Sequence, residues 1–207
     1  MNYDVEKVIL TDCDGVLLNW EYALDVFMAA RGYKMIEDGR KHYDCAVRYN
    51  LTPKERKALI REFNNSAVMG FLPPLRDALH YVRKLHEEHG FVFHVITSMS
   101  IDPFATKLRK QNLRKLFGET VFEGFTFLDT GLNKDEALEP YRDSGLIWVE
   151  DKLENAVLGH ELGLSAMIME HGHTMRELNE HRDDDMWQRS LDIPRYATWK
   201  EIYEAIT

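Results

Sequence analysis

Residues 9–18, Ile9-Leu10-Thr11-Asp12-Cys13-Asp14-Gly15-Val16-Leu17-Leu18, run apolar, acidic, apolar. Val8, Ile9 and Leu10 are β-favouring residues, and they read as a short buried strand leading inward from the N-terminus. Asp12 and Asp14 then stand at its C-terminal end. In an open parallel α/β sheet, that end borders the crevice where ligands bind. Asp and Gly also make ordinary turns, and a turn accounts for Gly15. It does not account for two close carboxylates, which repel each other unless a cation or a shared proton lies between them.

Working outward, the chain alternates between two periodicities. Leu75, Ala78, Leu79, Val82 and Leu85 recur at helical spacing after Pro73-Pro74, and Gly90 stops them. Phe91 to Thr97 reads as a strand. Asp102 before Pro103 is an N-cap with a first-turn proline, opening a helix through about Phe117 that Gly118 ends. Val121 to Leu128 is a strand, Lys134 to Tyr141 a short helix and Leu146 to Glu150 another strand. A helix over Asn155 to Leu162 stops at Gly163, and Ser165 to Met169 supplies one more strand. Such alternation predicts an α/β fold built on a doubly wound parallel sheet.

Two regions break the pattern. Between Asn19 and Phe71 the signals are all helical: Tyr22 to Ala30, roughly Arg40 to Arg48, and a capping box at Thr52-Pro53-Lys54-Glu55. This divides the chain into an α/β core, 1–18 and 72–207, and an inserted helical segment, 19–71, standing over the strand ends. Glu170 to Asp192 is polar, rich in His and Asp, and reads as a surface excursion. Thr198-Trp199-Lys200-Glu201 is a further capping box on a helix reaching Ile206.

Composition narrows the function classes. The 207 residues are 44% apolar and 29% charged, ordinary for a globular chain able to bury a sizeable core. No apolar run approaches the ~20 residues that cross a bilayer. The first residues do not form a signal peptide, so a cytoplasmic location is expected. Cys13 and Cys45 are too few for a disulfide framework and read as reduced thiols. A net charge of −9 argues against a general partner among nucleic-acid polymers or anionic membranes. Residues 21–70 nevertheless hold nine Lys or Arg against seven acids, a local balance suited to a small anion or to solvated helix faces.

With the elements placed, the polar residues at strand ends form one set. Asp12 and Asp14 follow the first strand, Thr97 and Ser98 the second; Lys134 begins a helix, and Glu150-Asp151 close Leu146 to Val149. Parallel strands bring them to one sheet edge, with carboxylates for a hard cation and a hydroxyl and an ammonium for an anion. Mg²⁺ with a phosphate suits that set. There is no GxxxxGK[ST] loop, which excludes ordinary nucleotide triphosphatases of that class.

Taken in order, Asp12-Cys13-Asp14-Gly15-Val16, Thr97, Lys134 and Glu150-Asp151 resemble the motifs of the haloacid dehalogenase (HAD) superfamily of phosphatases and phosphotransferases. The resemblance spans roughly residues 6 to 170, and the helical segment matches the position of that family's C1 cap. It implies that Asp12 is a nucleophile forming an aspartyl phosphate and that Asp14 is the general acid and base. It further implies that Thr97, or Ser98 in its place, holds phosphoryl oxygens together with Lys134. Mg²⁺ would be held by Asp12, the Asp14 carbonyl and Asp151, with Glu150 binding through water or orienting Asp151. Members that attack carbon lack the second acid, so Asp14 favours phosphoryl chemistry.

Within the superfamily the chain is similar to the 5'(3')-deoxyribonucleotidase-like group. The shared features are Phe71-Leu72-Pro73-Pro74-Leu75 ahead of the Thr97 strand, Glu150-Asp151-Lys152, and a closing tryptophan helix, Trp199 to Ile206. Glu150 departs from that group's usual Asp. The implied partner is a small phosphorylated substrate, first a nucleoside monophosphate; sugar phosphates, phosphoglycolate, a mutase reaction and a non-catalytic phosphate binder are alternatives.

Other polar groups read as structural. Cys13 is expected to be a packed thiol and Asn133 a left-handed loop residue. Asn155 either braces the acidic loop or lies on a helix surface. His160, His171, His173 and His181 lack zinc-motif spacing and are expected to be solvent-exposed, as is Asp183-Asp184-Asp185. Trp20, Tyr22, Phe27 and Tyr33 are expected to pack helices rather than stack on a ligand.

Overall fold

In the computed structural model, residues 7–172, 174 and 184–207 are described. Six parallel strands form one sheet: β1 (Val8–Thr11), β2 (Val92–Ser98), β3 (Phe122–Leu128), β4 (Ile147–Glu150), β5 (Ser165–Met169) and β6 (Arg195–Tyr196). Their order is β3-β2-β1-β4-β5-β6, which places β1 at the centre. All of β1 is buried, as both faces of a parallel strand must be when helices cover the sheet. Thr11 pairs with Val95 of β2 on one side and Val149 of β4 on the other. The residues just beyond that level on three strands therefore share one edge, where the chain leaves β1 for one side and β4 for the other.

Between β1 and β2 the described chain is helical. It forms α1 (Trp20–Ala30), α2 (Cys45–Arg48), α3 (Pro53–Asn64) and α4 (Ala78–His89), with 3₁₀ turns at Gly39–Lys41 and Ala67–Gly70. The region read as one helix over Arg40 to Arg48 is two pieces. Asp44 explains the break: its carboxylate accepts from the N–H of Ala46 and starts α2 afresh. The capping box of Thr52 and Glu55 is present on α3. Buried side chains of α1 and α3, Leu24, Phe27 and Phe63, join Val16, Leu17 and Leu72 in one continuous apolar core.

Beyond β2 come α5 (Pro103–Phe117), α6 (Asp135–Leu138), α7 (Leu153–Glu161), α8 (Asp184–Arg189) and α9 (Trp199–Ile206). The Asp102 cap and Gly118 stop bound α5 as read. The closing stretch of the polar excursion is more structured than expected. α8 buries Trp187, Ile193 follows it into the core, and β6 adds a sixth strand. Two short, locally polar pieces held by two apolar anchors leave no periodic signal. His173, His181 and Asp183 lie outside the described residues, and so does the side chain of Asp184.

Candidate active site

Asp12 is the first residue past β1. Its N–H donates to the Val149 carbonyl at 2.9 Å, continuing the ladder with β4 by one rung. The chain then turns tightly: the N–H groups of Leu17 and Leu18 both donate to the Cys13 carbonyl, and Gly15 donates to Leu18. Gly15 has φ +80°, and a Cβ there would lie 2.1 Å from Asp151 Oδ2, so only glycine fits between this loop and the acidic strand end. From the far end of the chain, the Trp199 indole N–H donates to the Val16 carbonyl at 2.8 Å and locks the turn from behind.

All seven residues singled out at strand ends line a single cavity of about 590 Å³. The nucleus of the site is a chain of charge. Lys134, almost wholly buried, sits 3.0 Å from Asp12 Oδ1 and 2.7 Å from Glu150 Oε2. Asp12 Oδ1 also accepts from the Cys13 N–H at 2.7 Å, so Oδ2 is the oxygen without a hydrogen bond among the described residues. Glu150 Oε1 accepts from the N–H groups of Asp151 and Lys152, both at 3.0 Å. Glu150 thus folds the acidic loop and anchors Lys134 at once.

The protonation equilibria record the crowding. Burial, opposed by Lys134 and helped by Glu150 and Asp14, pushes the Asp12 carboxyl up to about 7. Burial and then Glu150 and Asp12 hold Asp151 well above the usual carboxylate range. Glu150 moves the other way: burial opposes ionisation there, but Lys134, the Lys152 N–H and the Asp151 side chain overcome it. Lys134 is kept protonated against burial by Asp12 and Glu150. Asp12, Glu150 and Asp151 each bring an oxygen within 4.8 Å of the others, a donor set for a hard cation.

Thr97 is buried at the end of β2, while the Ser98 hydroxyl donates to the Leu132 carbonyl at 2.8 Å. Cys13 is fully buried, and burial pushes its thiol up to about 12, which makes it inert at neutral pH. Asn133 is not left-handed; Gly131, two residues earlier, takes φ +81° and makes the turn. Trp20 both packs on Phe63 and lines the cavity, and Phe27 is core.

Three residues of the site were not anticipated. His171 is not solvent-exposed: its ring Nε2 donates to the Gly15 carbonyl at 2.6 Å and lies 3.9 Å from Asp151 Oδ2, and burial lowers its basicity. Its position depends on the fold of β5 and no local spacing reveals it. Tyr43, exposed over more than half its surface, lines the cavity from the helical segment; crowding where it meets the cavity, and then Asp151, Glu150 and Asp12, raise its pKa. Arg109, wholly buried on α5, pairs with Asp14. A signal for Arg109 did exist: it lies four residues after Ala105 and four before Leu113, on the stripe that faces the core.

Sheet order, central β1 and the carboxylates at its end define a fold of the haloacid dehalogenase type. Among solved structures, a haloacid dehalogenase-like hydrolase from Streptococcus pneumoniae is similar with TM-score 0.64 and 12% identity, over 99% of this chain and 100% of that one. L-2-haloacid dehalogenase from Xanthobacter autotrophicus is similar with TM-score 0.58 and 10% identity, over 97% and 98% of the two chains. In sequence, the chain is 34% identical over 121 residues to an uncharacterised 32.4 kDa protein of the Gp30–rIII intergenic region of Enterobacteria phage T4. That match takes in 55% of this chain and 42% of the relative, so the chain spans less than half of the protein it matches. No protein-family model matches.

Proposed function

We propose that the protein is a Mg²⁺-dependent phosphomonoesterase acting through an aspartyl phosphate on Asp12. The observation that carries this reading is the convergence of Asp12, Asp14, Thr97, Lys134 and Asp151 on one cavity at the end of β1. The second acid, Asp14, supports phosphoryl transfer over attack on carbon. The donor chemistry suits Mg²⁺: three buried carboxylates stand together with one ammonium, and burial and then their acidic neighbours push two of them, Asp12 and Asp151, towards protonation. Asp12, Asp151 and the Asp14 carbonyl would hold the ion, with Glu150 behind them. When bound, Mg²⁺ supplies charge neutralisation where one anion approaches another.

The protein's own groups divide the rest of the work. Asp12 Oδ1 is occupied by Lys134 and the Cys13 N–H, so Oδ2 attacks phosphorus. Asp14 gives a proton to the departing oxygen and takes one from the water that later cleaves the aspartyl phosphate. Thr97 and Lys134 steady the phosphoryl oxygens. Residues 19–71 serve as a cap whose cavity-facing side chains, Trp20, Tyr43, Arg56 and Lys57, choose the substrate. A small phosphate monoester such as a nucleoside monophosphate fits the cavity's volume and its mixed aromatic and basic lining. A cytoplasmic setting accords with such a substrate; among the described residues no helix is long and apolar enough to cross a membrane.

The test is phosphate release with and without Mg²⁺ from nucleoside monophosphates, sugar phosphates and phosphoglycolate, with a 2-haloacid as the carbon-centred control. Release that requires both Mg²⁺ and Asp12 is the expected result. Halide release without phosphate release would overturn the reading.

A further inference from the structure

Arg109 is a fully buried arginine with few acceptors around it. One guanidinium nitrogen bonds Asp14 Oδ1 and lies 3.0 Å from Cys13 Sγ; the other lies 3.0 Å from Met69 Sδ. Nε has no partner. Thiol and thioether sulfurs accept hydrogen bonds weakly, so among the described residues Asp14 is the one strong acceptor this charge has. A buried guanidinium is costly to desolvate and is ordinarily met by a bidentate carboxylate and by backbone carbonyls. Here the contact is end-on, to one oxygen. Asp14 Oδ2 has no partner among the described residues, and Asp14 itself lines the cavity.

The backbone around Asp14 is already fixed by the Cys13, Gly15 and Val16 hydrogen bonds described above. What remains free is the rotation of the Asp14 side chain, and Arg109 removes that freedom. We propose that Arg109 is a positioning residue for Asp14: by engaging Oδ1 it leaves Oδ2 as the single oxygen that exchanges protons with the substrate, which fits the site to esters of poor leaving groups. The inference rests on the phosphomonoesterase reading above. As Asp12 Oδ2 bonds to phosphorus, the bond from phosphorus to the ester oxygen breaks and that oxygen takes the proton of Asp14 Oδ2. The resulting Asp14 carboxylate then takes a proton from water as the water oxygen displaces Asp12 from phosphorus. Each step needs the same oxygen aimed at the same place, once as acid and once as base.

The two halves of this claim separate by leaving group. A p-nitrophenolate departs without help, whereas an alkoxide needs the proton. Wild type, Arg109→Met and Arg109→Lys are compared on p-nitrophenyl phosphate and on an alkyl or nucleoside monophosphate, with Asp12→Asn as the chemistry control and thermal melts as the fold control. In Arg109→Met, kcat on the alkyl ester falls by roughly 10²-fold, the size of a general acid–base contribution, while KM holds and the nitrophenyl ester loses far less. Arg109→Lys, which keeps one donor and the charge, recovers part of the alkyl activity and stands in should the methionine variant not fold. Equal losses on both esters would make Arg109 merely structural and overturn the proposal. If wild type releases phosphate from no ester, the reading of the site fails instead. The Arg109 proposal is then decided by the crystal structure of the variant, where an Asp14 carboxylate unmoved from the wild-type position would sink it.

Discussion

The cavity has two walls of different construction. On the sheet side, Asp12, Lys134, Glu150 and Asp151 are buried and bonded to one another, so each position is fixed by several others. On the helical side the charges are settled locally: Arg48 pairs with Glu21 and Arg56 with Asp44, each pair within residues 20–64, and Lys57 is exposed. The first wall concentrates strain between like charges and the second disperses it. A group that must react needs a single orientation held against repulsion, while groups that choose among ligands work at the rim, where each can be altered without disturbing the next.

The strongest way to break this contrast is Asp12→Asn, expected to lower phosphate release by about 10⁴-fold or more. An activity within tenfold of wild type would place the chemistry elsewhere. Next comes Lys134→Met, which strands Asp12 and Glu150 as unpaired buried carboxylates. It should destabilise the fold by about 3–5 kcal/mol in urea unfolding, and a loss under about 1 kcal/mol would show the sheet-side wall to be less interdependent than its geometry implies.

A third prediction concerns pH. Asp12 titrates at about 7 in the folded protein against 3.8 in its absence, so the folded state holds the proton more tightly than the unfolded one. Its contribution to stability is therefore lost as pH rises from about 4 to about 7. In chelator, the melting temperature of Asp12→Asn minus that of wild type should grow across that window, and Mg²⁺ should shrink the difference at pH 7. A flat difference would contradict the crowding described here. The smallest effects belong to the rim: Lys57→Ala should raise KM about 2–5-fold with kcat unchanged. Breaking the exposed Arg31–Glu62 pair should cost about 0–1 kcal/mol.

Much of the first wall can be read from the sequence because each of its members stands at the end of a recognisable strand or helix. Asp102, Pro103 and Gly118 delimit α5 correctly for a similar reason: caps and stops are local events. What escapes is non-local. His171 reaches the site by the path of β5 and by Arg76, whose guanidinium donates to the Glu170 carbonyl at 2.7 Å. Tyr43 reaches it because Asp44 splits a helix that periodicity reads as continuous. Arg109 sits on a core-facing stripe, but only the fold shows that Asp14 is on the other side of it. β6, two residues long, pairs with β5 through Ile168 and Met169 and has no pattern of its own.

The bond from Trp199 to Val16 joins residues 183 positions apart. Its consequence lies in the order of synthesis. β1 and the turn after it are made well before the indole that closes behind the turn, which arrives only when residue 199 has emerged. A partly translated chain can assemble neighbouring helices through local contacts, but it has no means of sealing the turn, because the sealing contact is so far from local in sequence. Any product shortened before Trp199 is in the same condition: the carboxylates are encoded, and the lock that holds their loop is missing.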